Sequence, residues 1–171
     1  MYDPTIFDNL KVAFENQVYD LDNLENEITI TNRIDRMDFS VMGREFAIEF
    51  TLVDLPDVTA EIVLESSLEN IAAEMMELPG KNPGCSLLLR FYKRVNNVTK
   101  QCQEIDQALK EIWETEQKLT QTLSFVYEQD SSSYLDTIEV SFNHPINEDH
   151  MEDIEEFLNH VLESLEVLNQ I

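Results

Sequence analysis

Ten positions in the middle of the chain, Leu88, Phe91, Val95, Val98, Cys102, Ile105, Leu109, Ile112, Glu116 and Leu119, step by three and four without slipping, and only Glu116 is not apolar. That spacing gathers them on one stripe of an α-helix for more than four heptads. Length then becomes the constraint. An unbroken helix from Ser86 to Leu119 is ~50 Å long at 1.5 Å per residue, whereas a compact chain of 171 residues is roughly 40 Å across. Either the helix breaks, most naturally at Asn96-Asn97, or a second molecule covers its protruding seam. Each covered Leu, Ile or Phe contributes ~1.5–3 kcal/mol, so several of them in water is the unfavourable outcome. The seam thus reads as internal packing or as a homodimer interface through Leu88, Phe91, Val95, Val98, Ile105, Leu109 and Ile112.

Elsewhere the apolar period tells helix from strand. Asp3-Pro4 has the form of a helix start, and Ile6, Leu10, Ala13, Phe14 and Val18 follow at helical spacing. Ile28 and Ile30, then Met37, Phe39 and Val41, then Phe46, Ile48, Phe50 and Leu52 alternate with polar or small residues, which predicts three antiparallel strands with one wet face. Val58, Ala60, Ile62 and Leu64 alternate again; residues 58–65 read as a fourth strand, with a helix from Thr59 as the alternative. Ser66-x-x-Glu69 resembles a capping box for a helix carrying Leu68, Ile71, Ala72, Met75 and Leu78. Past the seam, Leu123, Phe125 and Tyr127, a turn at Asp130–Ser133, and Ile138, Val140 and Phe142 predict a hairpin. Pro145 and Asn147 open a last helix with Met151, Ile154, Phe157, Leu158, Val161, Leu165 and Leu168 as its buried stripe. The expected architecture is one α+β domain over residues 1–171. An antiparallel sheet of five or six strands is packed by N- and C-terminal helices with a long central helical hairpin, in the order α-βββ(β)-αα-ββ-α. Residues 66–119 form a helical insertion or appendage.

Charge narrows the partner class. Residues 1–80 carry eighteen acids and four bases, residues 81–118 seven bases and five acids, and residues 119–171 twelve acids and no base, for a net charge of −24. A surface so acidic disfavours nucleic-acid backbones and anionic membranes and favours basic partners. No segment approaches the ~20 apolar residues of a membrane span, and the first residues lack a basic, apolar leader. A cytoplasmic protein is expected, and Cys85 and Cys102 are read as reduced structural thiols.

The stretches Phe7–Leu52 and Leu123–Leu168, and above all the closing run IEVSFNHPINEDHMEDIEEFLNHVLESL, resemble the secretion-chaperone-like proteins, the acidic class I type III secretion chaperones and related bacterial regulators. The resemblance covers about half of the chain. It implies an α-βββ-α-ββ-α core and proteins that bind extended segments of partners or act as regulators without catalysis. Val58 to Thr120 here replaces that family's single short central helix, which usually supplies its dimer contact.

Candidate chemistry is sparse. His144, His150 and His160 do not converge, although Glu156 and His160 share a helical face. Asp20, Asp22 and Asn26 lack the glycine and closing glutamate of a calcium loop. With only Gly43, Gly80 and Gly84 there is no phosphate-cradling loop or nucleophile elbow. No catalytic residue, cofactor or metal is therefore expected; converging acids with a shifted pKa inside a pocket would reopen an enzymatic reading. Arg90, Lys93 and Arg94 on the supposed helix either pair with the acidic flanks or contact an anion or acidic partner. The functional expectation is a non-catalytic protein-binding module, chaperone- or adaptor-like and dimeric, that holds a partner segment along the sheet or near Met75 and Met76. The alternative is an acidic nucleic-acid mimic that sequesters a basic protein.

Overall fold

Thr5 caps the first helix in a computed structural model that describes residues 5–114, 117–129 and 132–171; the helix start read at Asp3-Pro4 lies outside these. Thr5 Oγ1 accepts the Asp8 N–H (3.2 Å) and the Asp8 carboxylate accepts the Thr5 N–H (3.1 Å), a reciprocal cap. Helix α1 (Ile6–Asn23) buries Phe7, Leu10, Phe14 and Val18.

Strands β1 (Ile28–Asp38), β2 (Gly43–Leu52) and β3 (Thr59–Ser66) form the predicted meander, with a different division. The two short strands expected at Ile28–Thr31 and Met37–Val41 are one strand and the turn after it. A bulge at Thr31 shifts the register between Ile30 and Asn32, which changes which positions alternate inward. Of residues 58–65 all but Val58 are strand, as the alternation favoured. Helix α2 (Leu68–Met75) is capped by Ser67, whose Oγ accepts the Asn70 N–H at 3.3 Å; Ser66 is the last residue of β3.

The predicted rod is absent. Ser86–Val95 is strand β4, Asn96-Asn97 turns the chain, and Val98–Trp113 is helix α3. The run Leu87-Leu88-Leu89 satisfies helical and alternating periods alike, so the seam could be counted through it. The break is built by side chains: Asn97 Oδ1 accepts the Lys100 N–H (3.3 Å), and Gln101 Oε1 accepts the Asn96 (2.7 Å) and Asn97 (2.9 Å) N–H groups. Residues 66–119 therefore supply an inner strand of the sheet rather than a helical appendage, and the overhang that motivated a dimer disappears. Phe91, Val95, Ile105 and Leu109 lie in the chain's own core. Val98 and Ile112 are half-buried against that core, and Leu88 is half-buried. Leu119 lies in a later strand (Lys118–Ser124), and Glu116 lies outside the described residues.

Strands β5 (Lys118–Ser124) and β6 (Tyr134–Ser141) make the predicted hairpin, but β5 starts earlier and Phe125 and Tyr127 lie beyond it. Asp130 and Ser131 of the expected turn are outside the described residues. Asn147 caps a 3-10 turn (Glu148–Asp153) that leads into α4 (Ile154–Gln170). Met151, on that turn, is exposed rather than part of the buried stripe.

The strand order is β1-β2-β3-β4-β6-β5, antiparallel throughout. Pairing aligns Ile48, Ile62, Leu89 and Val140 in one row, and Phe50, Ala60, Phe91 and Ile138 in the next, all buried on one face. Over that face lie α1, α3 and α4, which contribute Ile105, Leu109, Ile154, Leu158, Val161, Leu165 and Leu168. The Trp113 Nε1–H donates to Ser164 Oγ (2.9 Å) and ties α3 to α4.

Candidate functional site

The opposite face of the sheet carries the outward residues of every strand. Across its middle the register sets Glu49, Glu61, Arg90 and Glu139 side by side on β2, β3, β4 and β6. Like charges directly opposite each other are unfavourable, and the row shows how they are offset. Arg90 donates through Nη1 to Glu61 (3.1 Å) and through Nε to Glu139 (3.0 Å), and the Tyr92 hydroxyl donates to Glu61 (2.9 Å). Burial, then the hydrogen bond to Glu61, raises the Glu49 carboxyl above its ordinary value. Burial and Glu61 together push the Tyr92 phenol up to about 12. Acids thus converge, with Glu49 shifted upward, but on an open face where Arg90 and Tyr92 already hold Glu61 and Glu139. Arg90→Gln should cost about 2 kcal/mol in urea denaturation, against almost nothing for the exposed Arg94→Gln; equal small losses would show that the row is not structural.

The basic cluster is dispersed. Arg90 and Arg94 point to the open face, while Lys93, paired in register with Asp136 on β6, points to the helix side. Burial lowers the Lys93 pKa, with Asp57 and Asp136 opposing.

Exposed apolar residues gather at two ends of the sheet. At one end the β1–β2 tip presents Met37, Phe39 (80% exposed), Val41 and Met42, and α2 presents Leu68, Met75 (75%) and Met76 (68%). A concavity of about 730 Å3 lies beside the tip, lined by Phe39, Val41, Arg44, Glu65 and Ser67 among others. At the other end Phe125 (64%), Val126 and Tyr127 (81%) follow β5. Phe125 is held edge-on against Tyr134 with ring centroids 6.0 Å apart.

The two outer strands differ. β1 is bulged and charged: Arg33 reaches Glu15 on α1 (2.6 Å), Lys11 on α1 reaches Asp35 (2.6 Å), and Arg36 pairs with Glu45 (3.0 Å). These are the usual devices that blunt a sheet edge. β5 has none of them beyond Lys118. From Leu119 through Tyr127 there are nine residues without a charge, and among the described residues β5 pairs only with β6. Spacing alone hides this edge, because Leu119 also fits the period of the helical seam.

Both cysteines are free thiols; burial pushes Cys85 up to about 12 and also raises Cys102. His160 packs edge-on against Trp113, and His150 Nδ1 accepts the Asn147 N–H at 3.1 Å. Among the described residues no three His, Cys, Asp or Glu side chains could hold a metal, and no helix is long and apolar enough to cross a membrane. Comparison with protein-family models, curated proteins and solved structures returned no match.

Proposed function

We propose that this chain is a non-catalytic protein-binding module, chaperone- or adaptor-like, that adds an extended basic segment of another protein to the outer edge of β5. The uncharged, unblunted edge from Leu119 to Tyr127 carries the reading. An outer strand offers a row of unmatched N–H and C=O groups, and a segment laid beside it gains main-chain hydrogen bonds worth about 0.5–1.5 kcal/mol each. Leu123, Phe125 and Tyr127 add apolar contact where the strand ends. Charge chooses the occupant. Two copies pairing edge to edge would bring two net charges of −24 together, whereas a basic segment is attracted. The chaperone-like resemblance, with its extended partner segments, points the same way.

The test uses a peptide that alternates Val or Thr with Lys, its Glu counterpart, and the Lys peptide N-methylated at alternate amides. The Lys peptide should bind and slow amide exchange along 118–124. N-methylation should weaken it by about ten-fold or more, and so should Thr120→Lys with Thr122→Lys, both exposed positions. Binding that survives methylation and the double variant would be diffuse charge attraction and would overturn the reading. A concentration-dependent dimer lost in the same variant would replace the foreign partner with a second copy.

A further inference from the structure

A second cavity lies on the helix side of the sheet; it shares no lining residue with the edge from Lys118 to Tyr127 and does not depend on the reading above. It measures about 270 Å3, just under the ~300–1,000 Å3 of drug-sized sites. Phe14, Leu87, Phe142, Ile146, Ile154 and Phe157 form its apolar wall, from α1, β4, α4 and the segment after β6. The aromatic part is locked edge to face: Phe14 and Phe142 stand 5.9 and 5.7 Å from Phe157, centroid to centroid. The floor is pinned as well. Cys85 and Ile146 exchange backbone hydrogen bonds of 2.8 and 2.9 Å, and Gly84 is pressed so close that a Cβ there would meet Ile146 O at 2.7 Å. The wall is thus assembled before any ligand arrives.

The lining is polar at Gln117, Asn143, His144, His150 and Asp153, of which Asp153 is the one carboxylate, and His150 Nδ1 already accepts the Asn147 N–H. Gln117 Oε1 is buried with no hydrogen-bond donor among the described residues. Such an acceptor is rare without a partner. Asp153 is exposed and makes no side-chain bond to the helix it precedes. An acceptor and a carboxylate beside an aromatic wall, in a chain of net charge −24, select a ligand that is apolar at one end and a hydrogen-bond-donating cation at the other. We infer that this cavity binds a small aromatic or branched aliphatic amine, with its hydrocarbon against Phe14, Phe142 and Phe157 and its ammonium facing Gln117 Oε1 and Asp153.

The chain contains one tryptophan, and Trp113 packs 5.7 Å from Phe142 and 5.5 Å from Phe157, so its emission reports occupancy. The probes are 2-phenylethylamine, 2-phenylethanol and 3-phenylpropionate, titrated to about 10 mM, with methyl NMR shifts of Leu87, Ile146 and Ile154 read in parallel. The amine should saturate both signals and bind about ten-fold tighter than the propionate. Asp153→Asn should erase most of that preference, and Gln117→Leu should weaken amine and alcohol alike. No saturable shift of those methyls, equal binding of amine and propionate, or indifference to Asp153→Asn overturns the proposal. A response only to a peptide bearing Phe beside Lys would also overturn it, in favour of a partner's side chain.

Discussion

Ile105→Asp should leave no folded protein at 25 °C. Ile105 is wholly buried on α3 against the sheet. A carboxylate there has no partner to offset its desolvation, which costs several kcal/mol even after local relaxation. A domain of this size has about 5–15 kcal/mol in total, and the lost isoleucine packing removes a further 2–5 kcal/mol. Val98→Asp is milder, because Val98 is only half-buried at the first turn of α3. Had the seam been an intermolecular rod, both changes would have separated a dimer and spared the fold. Far-UV circular dichroism decides between them: a folded Ile105→Asp variant with a near-native urea midpoint would mean that α3 does not seal this core.

Asp136→Asn, by contrast, should stabilise the protein at neutral pH. Asp136 is fully buried on the helix side of β6; its Oδ2 lies 3.9 Å from Cys102 Sγ, and its Oδ1 has no partner among the described residues. Burial raises its pKa from 3.8 to about 6, with Cys102 and Lys93 offsetting part of the rise. A carboxyl with a higher pKa in the folded state holds its proton more tightly there. The penalty is therefore absent below about 3.8, grows through the interval, and is complete above about 6. At 1.36 kcal/mol per pH unit that interval corresponds to about 3 kcal/mol. Asparagine carries no charge to desolvate, and Gln121 Oε1 on the adjoining strand is another buried acceptor without a donor. Urea titrations should show the variant ahead by up to about 3 kcal/mol at pH 7.5 and by about half that at pH 5. A difference that does not change with pH would place the effect in packing instead.

Much of the sheet was readable where alternation was unambiguous. Phe46, Ile48 and Phe50, and then Ala60, Ile62 and Leu64, face the helices as their spacing requires. The α4 stripe from Ile154 to Leu168 was readable as well. The failures have physical causes. Leu87-Leu88-Leu89 fits two periods, and only the caps supplied by Asn97 and Gln101 show that a strand ends there and a helix begins. The row from Glu49 to Glu139 depends on register between strands, which spacing within a strand does not reveal. The β5 edge and the Gln117 cavity depend on which strand lies outermost, a property of the assembled sheet alone.

The irregularity at Thr31 has one more outcome. Ile28 and Ile30 face the helices, yet past that point the odd-numbered Arg33 and Asp35 do so and reach α1. A strand in unbroken phase would instead have put Asn32, Ile34 and Arg36 beneath α1. Thr31 is the surplus member, so excising it leaves every remaining side chain of β1 on the side it already occupies, whereas one extra residue further along would turn all that follow inside out.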